Sequence, residues 1–261
     1  MTGSEESPSF RLAYVPGVTP GKWVRIWNER LPDVPLDLVP VSAAEAPAVL
    51  REAGADAGFV RLPIDRTDLS AIPLYTETTV VVVPKDHLVA AAEEVTVEDL
   101  ADDVVLHPLD DTLDWDALPG RPAIERPATT ADAVELVAAG IGVLVVPQSL
   151  ARLHHRKDLT YRTVTGAPAS RVALSWREEA TTDLVEDFIG IVRGRTVNST
   201  RGRAGAPADA KAKDKRPEKG GGARQKPAGA KTAGKTSGKT TRSRSGGAAG
   251  TAKRGKPRRR S

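Results

Sequence analysis

Short hydrophobic runs alternate with helical patterns in the N-terminal part of the chain. Helices are predicted where apolar residues recur three and four positions apart, over residues 21–31 and from Ser42 to near Gly54. Glu45 follows Ser42 at the spacing of a capping box, which marks the start of a helix. The strand–helix–strand–helix–strand order is typical of a parallel β-sheet. The three predicted strands cover residues 10–15, 36–41 and 57–62.

The regular alternation ends at residues 78–86, where a long valine-rich run predicts a strand that is buried on both faces. Helices are predicted at residues 96–102, at residues 129–140 with Gly140 as the terminating residue, and at residues 182–194. Together these patterns predict an α/β protein. The other predicted elements are strands at residues 104–108, 123–128, 143–147, 159–164 and 171–177 and a short helix at residues 148–155.

Charge and hydrophobicity divide the chain near Val197. Residues 1–196 contain 18 Lys and Arg against 31 Asp and Glu, a net charge of −13, whereas residues 197–261 contain 20 against 3, a net charge of +17. After Val197 there is no Val, Ile, Leu, Met, Phe, Tyr or Trp. Such a segment cannot bury enough apolar surface to offset its ordering entropy, so residues 197–261 are predicted to be disordered, as are residues 1–9. The acidic body is long enough to bury a substantial core.

Residue types argue against enzymatic chemistry. The chain has no cysteine, which excludes disulfides, thiolate metal sites and cysteine nucleophiles within it. Residues 229–236 match the P-loop pattern, but they lack the buried strand and the helix that would hold backbone N–H groups around a phosphate. We therefore expect no catalytic residue, no metal and no cofactor. The acidic N-terminus and the short apolar runs favour a cytoplasmic protein without a membrane span, with association with the nucleoid as a further expectation.

Three segments resemble, in order and spacing, the effector-binding domain of LysR-type transcriptional regulators. They are residues 78–108, which begin TTVVVVPKDH, residues 129–153, which begin TTADAVELVAAG, and residues 170–194, which begin SRVALSWREE. The similarity extends from Phe10 to Arg195 and rests on a pattern of blocks, since it includes no catalytic motif. It implies a bilobed, type 2 periplasmic-binding-protein-like α/β fold, in which two crossover strands join two lobes and a small effector binds between them.

The resemblance also implies where the lobes begin and end. LysR-type regulators start with a winged helix-turn-helix domain and a long linker helix. Nine residues precede the first predicted strand here, so we expect the helix-turn-helix head to be absent from this sequence. The implied limits are residues 10–83 and 171–196 for lobe one and residues 84–170 for lobe two, with crossovers near Pro84 and Ser170.

Candidate effector ligands lie at the ends of predicted strands, because ligands of open α/β folds bind there, next to helix N-termini. Thr19, Gly21 and Lys22 lie between the first strand and the first helix. The alternative is that the glycine belongs to a turn, Thr19 caps the helix and Lys22 is solvated. Thr129 and Thr130 open a helix at the equivalent position of lobe two, where N-capping alone would explain one hydroxyl.

Two further residues are weaker candidates for the same site. Arg61 follows the third strand, where its guanidinium could hold a carboxylate through two hydrogen bonds. A surface ion pair with an acidic neighbour is the alternative. His107 lies at the end of another predicted strand. The set predicts a small and anionic effector.

The basic segment 197–261 interleaves Lys and Arg with small and polar residues, and it resembles the tails of linker-histone-like and bacterial nucleoid proteins. Such a segment would bind DNA or RNA by releasing condensed counterions, without choosing a sequence. It has no aromatic residue on which a base could stack. The alternatives are a solubilising tail, or one that docks on a partner or on the acidic body. The predicted nucleic-acid contacts are Lys235, Lys239, Arg242, Arg244, Lys253, Arg254, Lys256, Arg258, Arg259 and Arg260.

The sequence leaves two functions open. The first is a non-enzymatic regulatory module that binds an effector between its lobes and nucleic acid through its tail. The second is an interaction protein without a ligand, which forms a homodimer or pairs with LysR-type regulators.

Overall fold

Most hydrophobic runs form strands and most helical patterns form helices in the computed structural model, which describes residues 8–195. In chain order the strands are β1 (Phe10–Tyr14), β2 (Leu36–Pro40), β3 (Ala57–Leu62), β4 (Leu69–Thr76), β5 (Thr79–Pro84), β6 (Glu94–Thr96), β7 (Val104–Leu106), β8 (Arg121–Pro122), β9 (Val143–Pro147), β10 (Leu159–Thr165) and β11 (Arg171–Arg177). The α-helices are α1 (Gly21–Arg30), α2 (Ala46–Arg51), α3 (Thr130–Ala138), α4 (Gln148–Leu153) and α5 (Asp183–Val192). Within this part of the chain, no helix is long and apolar enough to cross a membrane.

The first sheet has five strands in the order β2-β1-β3-β11-β4. β1, β2 and β3 run parallel to one another, which confirms the predicted parallel unit, and Leu12 of β1 lies between Leu38 and Ala57. The carboxyl ends of these three strands therefore meet at one edge. β11 and β4 complete the sheet as antiparallel strands. The sequence pattern did not predict β4, which contains Pro73, and its position at the edge tolerates that proline.

The second sheet has six strands in the order β6-β10-β5-β9-β7-β8. Its interior strand β5 is the valine-rich run, and successive valines point to opposite faces. Val80 and Val82 join one hydrophobic cluster, whereas Val81 and Val83 join another. The prediction that this strand is buried on both faces is confirmed.

The chain crosses between the sheets twice, at residues 77–78 and at residues 166–170. The first crossing lies earlier than the boundary predicted near Pro84. The reason is that β5 pairs with β9 and β10, so the whole strand belongs to the second sheet. In the following, lobe one refers to residues 8–76 and 171–195, and lobe two refers to residues 79–165.

The strand predicted at residues 123–128 is wrong. Ile124 is fully exposed, and the side chain of Arg126 donates to the backbone carbonyl of His107 over 2.9 Å. With Pro127 as its only buried residue, the segment gains little from joining the sheet. Only the two residues of β8, just before it, pair with β7.

Local capping signals are confirmed where the helices form. Thr129 accepts the N–H of Asp132 over 3.1 Å at the start of α3, and Thr182 accepts that of Val185 over 3.4 Å at the start of α5. The helix predicted at residues 96–102 is shorter than expected. It is reduced to a single 3-10 turn, Glu98–Leu100.

An aromatic core fixes α1 and α5 against the first sheet. Trp27 of α1 is fully buried, with its ring centroid 4.6 Å from that of Phe10 on β1 and 5.8 Å from that of Phe188 on α5. Its indole Nε1 donates to the carbonyl of Val34 over 2.9 Å. These contacts set the position of α1, and hence of the loop that joins it to β1.

The basic segment lies outside the described residues. The ten basic residues predicted to contact nucleic acid, and the disorder predicted for residues 197–261 and for most of residues 1–9, therefore stay predictions.

Candidate functional site

A cavity of about 760 Å³ opens where β1 and β2 end. The loops that follow these two strands form its wall on lobe one, and α4 forms its wall on lobe two. Because open α/β sheets bind ligands at the carboxyl ends of their strands, this cavity is the candidate effector site. The polar side chains that line it include Thr19, Ser42 and Glu45 from lobe one and Ser149 and Arg152 from lobe two.

Thr19 is the one residue of the predicted effector set that lines this cavity. Pro20 occupies the N-cap position of α1, and no side chain caps that helix, so the alternative that Thr19 caps it is wrong. The Thr19 side chain is thus left at the cavity wall. Gly21 and Lys22 form the exposed first residues of α1, and neither belongs to the lining of the cavity.

Ser42 and Glu45 form the hydrogen bonds of the predicted capping box at the rim of the cavity, but α2 begins only at Ala46, so Glu45 and not the predicted Ser42 is its N-cap. The Ser42 hydroxyl donates to the Glu45 carboxylate over 2.8 Å and accepts the Glu45 backbone N–H over 3.1 Å. The hydrogen bonds that the hydroxyl and the backbone N–H of Ser42 donate to the carboxylate lower the pKa of Glu45, so the group is a carboxylate at neutral pH. Arg152 contributes the opposite charge from lobe two. The cavity therefore offers both signs of charge.

Arg61 is buried behind the cavity, where its guanidinium contacts protein groups. It forms an ion pair with Glu77, and it donates to the Ser170 hydroxyl over 2.6 Å. It also donates to the Pro16 carbonyl over 3.0 Å and to the Ser149 hydroxyl over 3.2 Å. The ion pair that the sequence placed at the surface is an interior one, with side-chain exposures of 4% for Arg61 and 8% for Glu77.

The hydroxyls of Thr129 and Thr130 form hydrogen bonds with other residues of lobe two. Thr129 caps α3 and donates to the Asp132 carboxylate over 2.8 Å, and the buried Thr130 donates to Asp110 over 2.9 Å. Neither residue belongs to the lining of the cavity. These contacts instead fix the loop after β7 to the start of α3.

His107 belongs to the same loop region of lobe two. Its Nε2 lies 3.1 Å from the carboxylate of Asp111, whose side chain is 6% exposed. Burial lowers the pKa of His107, and the nearby Arg126 guanidinium adds to that effect against the opposing field of Asp111. The imidazole is therefore neutral at pH 7, where it would add no positive charge to attract an anion.

Sequence reasoning missed Ser42, Glu45, Ser149 and Arg152 as lining residues. Ser149 and Arg152 lie on a helix more than a hundred residues from Thr19 in the chain, and only the packing of the two lobes brings them to the cavity. The capping-box signal did locate Glu45, though as a helix start and not as part of a site.

Gly17 lies where the two lobes approach each other closely at the cavity. Its φ is +85°, and a Cβ there would lie under 3.0 Å from the Ser149 hydroxyl oxygen. Gly140 also has a positive φ, of +73°, but a Cβ added to it meets nothing within 4 Å. The two glycines thus differ in the space around them and share the backbone conformation that L side chains disfavour.

We expect Gly17→Ala to lower the free energy of unfolding by about 2–3 kcal/mol, since it adds a steric clash to the cost of the backbone conformation. Gly140→Ala is the control for the backbone cost alone, which is about 1 kcal/mol. Urea denaturation followed by circular dichroism measures both values. Equal losses in the two variants would show that the lobes do not pack at Gly17 as described.

The chain matches the LysR substrate binding domain family over residues 3–196. It is 27% identical over 193 residues to the HTH-type transcriptional regulator AlsR of Bacillus subtilis, a match that covers 70% of this chain and 64% of that protein. It is 34% identical over 152 residues to a probable hydrogen peroxide-inducible genes activator of Mycobacterium avium, covering 54% of this chain and 49% of that protein. The chain thus spans about half to two thirds of the length of these curated relatives.

Solved structures show the same fold. The BenM effector binding domain with its effector benzoate is similar with a TM-score of 0.61 at 19% identity, over 77% of this chain and 96% of that chain. An H2O2-bound mutant of OxyR from Corynebacterium glutamicum is similar with a TM-score of 0.58 at 25% identity, over 74% of this chain and 69% of that chain.

Proposed function

Since the chain belongs to the LysR substrate binding domain family over residues 3–196, we propose that it is a regulatory module whose cavity between the lobes binds a small effector. One observation carries this proposal, namely the cavity of about 760 Å³ with polar side chains from both lobes in its walls. A ligand there would touch both lobes at once, and its binding energy would favour one relative position of the lobes over others. The curated relatives that the chain matches are transcriptional regulators.

We further propose that the effector carries a carboxylate. Arg152 would pair with that group, and the Thr19 hydroxyl at the opposite wall would donate to it. The Glu45 carboxylate disfavours a second negative charge nearby and would accept a hydrogen bond from a hydroxyl or ammonium group of the ligand. A screen of aromatic and aliphatic carboxylates, with and without such a donor, therefore tests the cavity. Benzoate, the effector recorded with the similar BenM domain, is one member of that library.

We expect at least one carboxylate of the library to raise the melting temperature of the full chain, and Arg152→Gln to weaken its binding roughly tenfold. The reason is that a hydrogen bond between two charged groups is lost. Isothermal titration calorimetry measures the dissociation constants. The same titration gives the binding enthalpy, which becomes less favourable when a charge-assisted hydrogen bond is removed.

Arg156→Gln is the matched control, because it removes an arginine of the same lobe that pairs with Glu135 and Asp158 outside the cavity lining. It should leave the dissociation constant unchanged. Equal weakening by the two substitutions would contradict binding in this cavity. If no carboxylate of the library binds and size-exclusion chromatography shows a clear homodimer or complex, the result would favour the ligand-free interaction protein.

A thiol-based response to peroxide is excluded within these 261 residues. One curated relative is named a probable hydrogen peroxide-inducible genes activator, and a similar OxyR structure is H2O2-bound. Such a response needs a cysteine to oxidise, and the chain has none, while its one methionine is the first residue. We therefore favour an effector that binds without redox chemistry.

We propose that residues 197–261 hold the protein on DNA or RNA without choosing a sequence. The support is compositional: a net charge of +17, small residues between the charges and no aromatic side chain. On this proposal the protein works in the cytoplasm in contact with the nucleoid. The acidic domain responds to the effector, and the basic segment keeps the protein close to nucleic acid.

A further inference from the structure

One guanidinium nitrogen joins the two walls of the cavity. Nη2 of Arg61 donates to the carbonyl of Pro16, which lines the cavity from lobe one, and to the hydroxyl of Ser149, which lines it from lobe two. A Cβ added to the neighbouring Gly17 would lie 3.0 Å from the same nitrogen. The wall of the cavity at this point is therefore packed directly on the Arg61 side chain.

A second nitrogen of the same guanidinium, Nη1, contacts both crossovers. Nη1 forms the ion pair with Glu77, in the first crossover, and donates to Ser170 over 2.6 Å, at the end of the second crossover. Every rotation of one lobe against the other changes the backbone of these two segments, since they are the only chain connections between the sheets within residues 8–195. Arg61 thus contacts both crossovers and both walls.

The environment of these contacts makes them hard to exchange for water. Arg61 is 5% exposed, and the planar guanidinium presents its donors in fixed directions, so it cannot follow one displaced partner without misaligning its other hydrogen bonds. Four of its five N–H donors are used by the protein groups named above. A charge buried in this way requires its partners in place, because unpaired it would be strongly unfavourable.

We propose that Arg61 is a positioning residue that sets the width of the cavity, by tying Pro16 and Ser149 to both crossovers. It contacts no ligand in this role. It holds the lobes at one relative angle, and a change at either wall is transmitted to the crossovers through the one guanidinium. Arg61 plays this role in the free protein, whether or not the cavity binds a carboxylate.

The distance between the lobes can be measured directly, because the chain has no cysteine that would interfere with spin labelling. Glu52→Cys, after α2 in lobe one, and Ala139→Cys, after α3 in lobe two, introduce two exposed label sites. Double electron–electron resonance on the full chain then gives the distribution of distances between the labels. Circular dichroism confirms that each variant is folded.

We expect Arg61→Gln to shift the mean distance by about 2 Å or more and to broaden the distribution, as in proteins whose domains rearrange. Arg61→Lys keeps the charge opposite Glu77 but cannot bridge the four partners, so it should shift the distance as well. If Arg61 served only to neutralise Glu77, the lysine variant would keep the distances of the unsubstituted protein. Ser149→Ala removes one partner and should give a smaller change in the same direction.

Arg51→Gln is the matched control. Arg51 pairs with Asp65 and Asp68 entirely within lobe one, so its loss should leave the distances unchanged. The proposal is overturned if Arg61→Gln and Arg61→Lys both keep the original distribution, or if Arg51→Gln alters it equally. Should Arg61→Gln fail to fold, Arg61→Lys and Ser149→Ala decide by the same criterion. No ligand is used, so this outcome is independent of the carboxylate screen.

Discussion

Deleting residues 197–261 is expected to abolish retention of the protein on DNA and RNA while leaving the folded domain intact. The deleted segment holds 20 of the 38 Lys and Arg residues, and what remains has a net charge of −13. A domain with that excess of negative charge is repelled by phosphates, whereas the intact chain gains the free energy of counterion release. The loss of affinity should therefore exceed a thousandfold at low salt.

Fluorescence anisotropy with short duplexes of unrelated sequence measures this loss. For the full chain we expect equal affinity for all duplexes and a steep fall with salt, roughly 10³- to 10⁵-fold between about 50 and 200 mM if six to ten phosphates are contacted. Two controls keep the full length. Glutamine at the ten predicted contact positions should weaken binding, and a shuffled order of the same tail residues should preserve it. Retention by the truncated protein, or a flat response to salt, would contradict the role of the tail.

Replacing Trp27 with alanine is expected to be among the most destabilising single substitutions in the domain. The indole is fully buried, packs against Phe10 and Phe188, and donates a hydrogen bond to the carbonyl of Val34. Truncating a buried tryptophan to alanine costs about 3–5 kcal/mol, a large part of the stability of a typical domain. Because Thr19 is separated from α1 only by the N-cap residue Pro20, the loss also releases one wall of the cavity.

Urea denaturation followed by circular dichroism measures the effect without relying on the fluorescence of the substituted residue. Trp27→Phe keeps a ring in the core and loses the hydrogen bond, so it should cost about 1–2 kcal/mol. Trp115→Ala is the control in lobe two, where the indole is only half-buried and bonds to Asp111. A loss below about 1 kcal/mol in Trp27→Ala would show that this aromatic cluster does not anchor α1.

Short-range patterns predicted the elements whose causes are themselves local. The valines of β5 alternate between two hydrophobic clusters, and the hydrogen bonds of Ser42 with Glu45 and of Thr129 with Asp132 form as their spacing indicates. The pattern failed where pairing depends on a distant strand. It overlooked β4, which pairs with β11 about a hundred residues later, and it assigned a strand to residues 123–128, of which only Pro127 is buried.

The candidate site was less predictable than the fold, for the same reason. Thr19 was found because it follows a strand and precedes a helix, which is a local feature. The surroundings of Arg61 could not be read from sequence, because its partners are Pro16, Glu77, Ser149 and Ser170, separated from it by 16 to 109 positions. The local sequence around an arginine does not show whether its side chain is buried in the protein or faces a ligand.

The position of a bound effector tests the regulatory cavity most directly. Amide chemical shifts of the full chain, recorded during titration with the tightest carboxylate of the screen, locate it residue by residue. We predict that the largest changes fall at Thr19 and Ser42 in lobe one and at Ser149 in lobe two, in the same titration and with one dissociation constant. Changes confined to His107, Thr129 and Thr130, or to a single lobe, would contradict an effector site between the lobes.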